Sequence, residues 1–230
     1  MVKIGVPLRY TSLDDGRGIT YIVEEVRRAF QKAGAFVVPI APVQDIDYAN
    51  THYSDFPSLT DKEKEIINQS LDMIDGVVFP GGKKVSPYDQ YVLEQCIKRD
   101  IPTLGICLGM QLMSCYQKNF KTEKIESTIN HYQEKDDELT HKITIQKDSL
   151  LYDILKKEEI MVNSFHRYHI IDNDKYYVCA KSEDGIVEGI EMKKQRFHLG
   201  VQWHPEISYD FDDNSKKIID EFIKRCGEVE

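Results

Sequence analysis

The chain has 230 residues, of which 41% are hydrophobic, and carries a formal net charge of −9. This length suffices for one large α/β domain or two small ones, and the negative charge argues against nucleic acid and anionic membrane surfaces as partners. No run approaches the roughly 18 apolar residues of a membrane span, and residues 1–6 are typical of a strand rather than a signal peptide. The five cysteines include no C-x-x-C pair, which favours a cytoplasmic protein with free thiols.

The first half of the chain alternates predicted strands with predicted helices. Gly34 is a plausible end for the first helix, and Thr60 begins a capping box at the second. Strands are predicted over 2–6, 36–40, 76–79 and 101–105. Helices are predicted over 19–34, from 60 to 71 or 73, and over 86–99, with loops over 14–18 and 42–57. This βαβ pattern predicts a parallel sheet with crossover helices.

The second half has a different pattern, in which β-strands dominate. Residues 118–140 are charged and weakly patterned, and we expect an exposed connection there. Strands are predicted over 142–146, 176–181, 186–192 and 197–202, with helices over 150–155 and 214–226. Asp184 and Gly185 are typical of a hairpin turn. No linker or repeat divides the chain, so we predict one α/β domain over 1–230. It has an open, mostly parallel central sheet flanked by helices and an additional antiparallel β portion in its C-terminal half.

The junction at 105–109, GICLG, is the cysteine version of the G-x-S-x-G nucleophile elbow. Gly105 and Gly109 allow a sharp turn and a close approach of neighbouring elements. The following helix, predicted over 108–117, places its positive end at the Cys107 thiol and favours the thiolate. The N–H of Leu108 is then free to stabilise an oxyanion. In isolation, the same pattern also fits a buried cysteine between two turn glycines.

A second motif could supply the base that a thiol nucleophile needs. The segment 200–206, GVQWHPE, follows an apolar strand, and Pro205 holds His204 extended. Residues two apart in an extended segment point the same way, so Glu206 can orient the imidazole towards Cys107. Without the elbow, the motif would better fit a surface loop that contains His and Glu.

Two weaker motifs complete the pattern. The segment 162–166, VNSFH, has main-chain and side-chain groups suited to gripping an amino-acid moiety, although it also fits a turn after a strand. The segment 80–82, PGG, has a bare backbone that could supply a second oxyanion N–H.

The order of the motifs at 81–82, 105–111 and 200–206 resembles the class I glutamine amidotransferase superfamily over nearly the whole chain. Within that superfamily, 162–166, His141 and 184–191 are similar to the γ-glutamyl-γ-aminobutyrate hydrolase branch, the peptidase C26 type. The resemblance implies a flavodoxin-like class I amidotransferase fold and a cysteine hydrolase of γ-glutamyl amides. It implies a small-molecule γ-glutamyl substrate and no metal or organic cofactor.

The resemblance also implies roles at the matching positions. Cys107 would form a γ-glutamyl thioester, His204 would transfer the proton, and Glu206 would orient His204. The N–H groups of Gly82 and Leu108 would form the oxyanion hole. The residues expected to hold the glutamyl portion are Gln111, Ser164, Phe165 and His166.

The chain departs from the branch around the leaving-group side of the expected pocket. Leu108 stands where the branch usually has arginine, Lys83 and Lys84 follow the glycine pair, and Arg167 follows His166. These basic residues form either a solvated cluster without function or a binding site for an anionic leaving group. The identity of the amine is therefore left open.

Three other functions are compatible with the sequence to different degrees. The chain could be a glutaminase that passes ammonia to a separate synthetase, since no synthetase domain is fused within its 230 residues. It could be a non-catalytic α/β binding protein, although Cys107, His204 and Glu206 are all present. Cleavage of folate polyglutamates is a further option, but that relative is usually secreted or lysosomal. The oligomeric state is also left open.

Overall fold

The computed structural model describes residues 1–116, 121–171 and 176–228. Its strands are β1 Lys3–Pro7, β2 Arg9–Ser12, β3 Gly18–Tyr21, β4 Phe36–Ile40, β5 Gly76–Phe79, β6 Thr103–Ile106, β7 Thr122–Lys124, β8 His141–Ile145, β9 Glu159–Val162, β10 Tyr168–Ile170, β11 Tyr177–Ser182, β12 Val187–Glu191 and β13 His198–Val201. Its α-helices are α1 Glu24–Lys32, α2 Asp61–Leu71, α3 Pro87–Lys98, α4 Leu108–Ser114, α5 Leu150–Leu155, α6 Pro205–Ser208 and α7 Asp213–Gly227. A 3₁₀ turn spans Tyr53–Asp55.

Nine strands form one sheet, in the order β4-β1-β5-β6-β13-β12-β11-β8-β9. The first five are parallel to one another and follow the flavodoxin-like order 2-1-3-4-5. The last four pair antiparallel. The predicted fold class, including the antiparallel portion contributed by the C-terminal half, is therefore confirmed.

Buried apolar side chains form two clusters that hold the helices to the sheet. One cluster includes Phe30 of α1 and Phe222 of α7, whose rings meet edge to face with centroids 6.0 Å apart. The other cluster includes residues of α2, α3 and α4, such as Ile67, Val92 and Met110. No helix in the described ranges is long and apolar enough to cross a bilayer.

The predicted helix over 19–34 is wrong in its first part. Residues 18–21 form β3, which pairs with β2 in an antiparallel hairpin closed around the predicted loop at 14–18. The β-branched residues Ile19 and Thr20 favour this extended conformation, and helix α1 starts only at Glu24. The apolar spacing of Val26 and Phe30 was a true helical signal, since both are buried.

Other local predictions agree with the structure. Thr60 caps α2 with a complete capping box, and Ser86 does the same for α3 through Asp89. Gly34, which follows the C-cap residue of α1, has a positive φ of 91°, as does Gly185 in the hairpin turn, at 84°. The expected connection at 118–140 contains the short strand β7 in its described part, and strands β9 and β10 were not predicted. The elbow helix predicted over 108–117 is too long, because α4 ends at Ser114 and Cys115 and Tyr116 form a turn; residues 117–120 lie outside the described residues.

Candidate active site

Cys107 lies between the end of β6 and the start of α4, at the carboxyl end of the parallel strands. Its backbone has φ 52° and ψ −105°, a conformation that costs a non-glycine residue free energy and is typical of a nucleophile elbow. The Cys107 N–H donates to the Val201 carbonyl at 2.8 Å, and its carbonyl accepts from the N–H of Gln111 at 3.1 Å. The turn is thus held from both sides, with the thiol at the first turn of α4.

The two glycines of the elbow are required by close packing. A Cβ atom at Gly109 would lie 2.1 Å from the carbonyl oxygen of Phe79, and one at Gly105 would lie 2.5 Å from the sulfur of Met113. Neither glycine has a positive φ. The strain of the turn therefore falls on Cys107 itself, and the glycines allow α4 to lie directly against β5 and β6.

The structure brings His204 and Glu206 to Cys107. The Nδ1 atom of His204 lies 2.7 Å from Oε1 of Glu206, which is almost fully buried, and the imidazole lies within interaction distance of the Cys107 side chain. Burial disfavours the imidazolium, but the negative charges of Glu206 and of the Cys107 sulfur outweigh it. They hold the pKa of His204 well above its usual value of 6.5. The arrangement can therefore keep a proton on the imidazole beside a reactive thiol.

Asn163 positions His204, a role that the sequence did not indicate. Its side-chain oxygen accepts from the His204 N–H at 2.8 Å, and its amide nitrogen donates to the His204 carbonyl at 2.8 Å. The amide also donates to Ser208 Oγ at 3.2 Å. Within a segment predicted to bind the substrate, this side chain instead bonds to the main chain of the candidate base.

We expect the substitution Asn163→Ala to reduce kcat by about 10- to 100-fold with little change in KM, because a small displacement of a catalytic group has effects of that size. It also leaves buried main-chain groups of His204 without partners, which destabilises by about 1–3 kcal/mol. Steady-state kinetics and urea unfolding would measure both effects. Asn68→Ala is the matched control, because Asn68 bonds to Tyr91 away from the site. An unchanged kcat in Asn163→Ala would contradict the positioning role.

The segment 80–82 forms the opposite wall of the site. A Cβ atom at Gly81 would lie 2.9 Å from Cε1 of His204 and 3.7 Å from Cβ of Cys107. At Gly82 it would lie 3.1 Å from Cδ2 of Leu108. The two expected oxyanion donors, Gly82 and Leu108, are thus neighbours, and the N–H of neither donates a hydrogen bond to another described residue.

Arg9 holds this segment in place, a role that no motif in the sequence indicates. Its buried guanidinium donates to the Pro80 carbonyl at 2.8 Å and to the Gly81 carbonyl at 3.2 Å. It also forms an ion pair of 2.7 Å with the fully buried Asp89. Because the carbonyls of the segment point to Arg9, the next N–H, that of Gly82, is held in a defined orientation.

We expect Arg9→Met to destabilise the protein by about 3–5 kcal/mol, because it leaves the charge of Asp89 buried without its partner. Urea unfolding would measure this loss. Arg27→Met is the control, since Arg27 pairs with Glu24 at the exposed surface, where such pairs contribute little. Equal effects of the two substitutions would contradict the assigned role of Arg9.

The predicted substrate residues have different surroundings. Gln111 donates to Gln202 at 3.1 Å, and Ser164 Oγ donates to the His131 carbonyl at 2.9 Å. His166 is buried, with Nδ1 against the Tyr168 carbonyl and Nε2 near the carboxylate of Glu188. These three side chains therefore contact the protein itself.

Phe165 is the predicted substrate residue whose side chain contacts His204. Its ring meets the His204 ring nearly at a right angle, with centroids 5.6 Å apart. It pairs with Tyr132 in an antiparallel bridge whose hydrogen bonds come from the flanking residues. In such a pair, the N–H and C=O of Phe165 point away from Tyr132.

The basic residues around the site have separate environments. Lys84 donates to the carbonyls of Ala49 and Thr51 at 2.8 and 3.4 Å, and so joins the glycine-pair loop to the tyrosine-rich loop at 47–56. The guanidinium of Arg167 lies 3.9 Å from the centroid of the Tyr132 ring. Lys83 is exposed.

The fold and the position of this site define a class I amidotransferase-like protein. The chain belongs to the Peptidase C26 family, whose model matches residues 88–206. It is 32% identical over 220 residues to a glutamine amidotransferase-like protein of Rickettsia prowazekii, covering 67% of this chain and 78% of that one.

Two further similarities extend the comparison. The γ-glutamyl-γ-aminobutyrate hydrolase of Escherichia coli is 25% identical over 194 residues, covering 71% of this chain and 76% of the hydrolase. The solved structure of the CTPS glutaminase domain of Trypanosoma brucei matches with a TM-score of 0.69 at 15% identity. That match covers 100% of this chain and 95% of the other, and it shows a shared fold.

Proposed function

We propose that the protein hydrolyses the γ-glutamyl amide bond of a small γ-glutamyl amine, similar to γ-glutamyl-γ-aminobutyrate, and releases glutamate and the amine. The observation that carries the proposal is the strained Cys107 elbow beside the His204–Glu206 pair. Membership in the Peptidase C26 family supports a hydrolase, and the similarity to the E. coli γ-glutamyl-γ-aminobutyrate hydrolase supports this substrate class.

In the proposed reaction, the Cys107 sulfur attacks the γ-carbonyl carbon while His204 holds the thiol proton. The oxyanion forms against the N–H groups of Leu108 and Gly82. His204 then passes its proton to the amine nitrogen, the C–N bond breaks, and a γ-glutamyl thioester remains on Cys107. Water, losing a proton to His204, hydrolyses the thioester to glutamate and restores the thiol.

The geometry also supports a role for Phe165 in holding the glutamyl portion. Its N–H and C=O are directed away from the bridge with Tyr132, and its ring lies beside His204. A main-chain donor and acceptor beside the base match the α-carboxylate and α-ammonium groups of a glutamyl substrate. Gln111, Ser164 and His166 would support the Phe165 segment through their contacts with the surrounding protein.

A glutaminase that supplies ammonia to a separate synthetase is the second candidate. It uses the same thioester chemistry, and the CTPS glutaminase domain of Trypanosoma brucei has the same fold. Under this alternative, the substrate is glutamine and the protein gains full activity only with its partner.

A panel of amides separates the two functions. Glutamate release would be measured from γ-glutamyl-γ-aminobutyrate, other γ-glutamyl amines and glutamine, with Cys107→Ala as the blank. Turnover of a γ-glutamyl amine well above glutamine supports the hydrolase. Turnover of glutamine alone would contradict it and favour the ammonia-supplying function.

We further propose that residues 1–230 act as one domain in the cytoplasm. One sheet contains strands from both halves of the chain, which supports the single domain. The net charge of −9 supports the expectation that neither nucleic acid nor an anionic membrane is a partner.

A further inference from the structure

A buried group of three histidines and one glutamate lies next to the segment that contains Phe165. His131, His141, His166 and Glu188 are each at most 5% exposed. They come from different parts of the chain, with His141 on β8 and Glu188 on β12. No step of the proposed reaction uses these side chains as acids or bases, so the cluster needs another explanation.

Four of the six separations among the inward-facing atoms match the edges of a tetrahedral metal site. Glu188 Oε1 lies 3.3 Å from His131 Nδ1, 3.3 Å from His141 Nε2 and 3.4 Å from His166 Nε2. The His131 and His166 nitrogens are 3.3 Å apart. Four ligands at zinc–nitrogen and zinc–oxygen distances of about 2.0–2.1 Å stand about 3.3–3.4 Å from one another in a tetrahedron. The His131, His141 and Glu188 ligand atoms all lie within 4.8 Å of one another.

Contacts on the outer side of the cluster orient the rings of His131 and His166, so that the other ring nitrogen of each faces the centre of the cluster. His131 Nε2 lies 3.0 Å from the Asp184 carboxylate, and His166 Nδ1 lies 3.2 Å from the Tyr168 carbonyl. Both partners are acceptors, so these outer nitrogens carry the protons. When both rings are neutral, the inner nitrogens of His131 and His166 are both acceptors, and they face each other at 3.3 Å. Without a metal ion, one of the two rings would have to be an imidazolium whose inner N–H donates to the other.

The other two residues, His141 and Glu188, also need a partner for their buried polar atoms. Neither ring nitrogen of His141 and neither carboxylate oxygen of Glu188 has a hydrogen bond of acceptable geometry among the described residues. Buried polar atoms in proteins are normally satisfied, and a buried carboxylate is normally paired. A divalent cation would satisfy Glu188 and all three inner nitrogens at once.

We propose that His131, His141, His166 and Glu188 form a structural zinc site. Imidazole and carboxylate ligands suit Zn²⁺, and the contact of His131 with Asp184 is the carboxylate–histidine arrangement that orients metal-binding rings. With four protein ligands, the ion has no open position for substrate. This site departs from the expectation, based on the family resemblance, that the protein needs no metal.

The zinc ion would stabilise the wall of the active site. His166 directly follows Phe165, whose ring contacts His204. The carbonyl of Glu188 accepts a hydrogen bond from the Gln202 N–H at 2.8 Å, two residues before His204. The metal would therefore connect the segment that contains Phe165 to the segment after β13 that contains His204.

The test uses purified full-length Cys107→Ala protein, so that the catalytic thiol cannot bind the metal. After incubation with zinc and dialysis, elemental analysis should find close to one zinc ion per chain, and added zinc should raise the Tm. Cobalt(II) in place of zinc should give the visible absorption of a tetrahedral site. His141→Gln in the same background should weaken zinc binding by about 100-fold or more, and Asp184→Asn by about 10- to 100-fold.

His169→Gln is the matched control, because His169 is a half-buried histidine outside the cluster whose ring contacts the Ile170 carbonyl. It should bind zinc as the parent does. The proposal would be overturned if folded Cys107→Ala protein retains no zinc and its Tm does not respond to zinc or to a chelator, since the histidines would then share protons only. Zinc binding that occurs in the wild type and is absent from Cys107→Ala would also overturn it. These readouts do not depend on activity, so the result stands whether or not the proposed hydrolase function is correct.

Discussion

Replacing Cys107 with alanine is expected to reduce kcat/KM for a γ-glutamyl amide by about 10⁴-fold or more, the loss typical of a removed nucleophile. The thioester cannot form without the sulfur, and the remaining groups can only assist direct attack by water. The folded state should persist or gain stability, because alanine removes the sulfur but keeps the elbow backbone. Glutamate release and thermal unfolding would measure the two effects.

Cys115→Ala is the control for the Cys107 prediction. Cys115 is a partly buried cysteine at the other end of helix α4, and its loss should leave turnover within a few-fold of the wild type. Retention of substantial turnover in Cys107→Ala would refute nucleophilic catalysis by this residue.

The substitution Glu206→Gln is expected to lower kcat by about 10²- to 10⁴-fold, as loss of the orienting carboxylate does in comparable triads. The amide keeps the size of the side chain but cannot hold the imidazolium. The Glu206 charge helps to raise the pKa of His204, so neutralising it should lower that pKa. In the proposed mechanism, His204 must carry a proton to release the amine, and the alkaline limb of the kcat/KM profile should therefore move to lower pH.

The matched control for this prediction is Glu191→Gln. Glu191 is a buried glutamate that accepts a hydrogen bond from the Leu150 N–H at 2.8 Å, away from the site. Its substitution should leave the position of the alkaline limb unchanged. If Glu206→Gln lowers kcat without moving that limb, Glu206 would not act through the charge of His204.

The features that could be predicted from the sequence are those encoded by neighbouring residues. The elbow at Cys107 depends on two glycines within two positions, and His204 and Glu206 are separated by one residue. The strand over 36–40 and the caps at Thr60 and Ser86 also rest on adjacent residues. In each case, short-range sterics or one local hydrogen bond determines the conformation.

The features that were missed depend on contacts between distant parts of the chain. Arg9 meets Asp89 across 80 positions, and Asn163 meets His204 across 41. Nothing next to Arg9 indicates that its guanidinium is buried. The β2–β3 hairpin was missed for a different reason, because its Ile19 lies next to an apolar series with helical spacing and was assigned to that helix.

The histidine cluster also depends on contacts between distant parts of the chain and could not be predicted. His166 and His141 lie in motifs that the sequence singled out, but His131 lies in a charged segment expected to be an exposed connection. Only the antiparallel part of the sheet brings His141 and Glu188 together, through β8, β11 and β12. Their spacing along the chain does not match a recognisable metal motif, and the family resemblance implied no metal.

The most direct test of the central claim is the detection of the γ-glutamyl thioester. The enzyme would be mixed with the best substrate from the amide panel, quenched in acid during turnover, and measured by intact-protein mass spectrometry followed by peptide mapping. We predict one added γ-glutamyl group, located on Cys107 and absent from Cys107→Ala. Steady turnover with no such adduct, together with activity that persists in Cys107→Ala, would contradict the proposed mechanism.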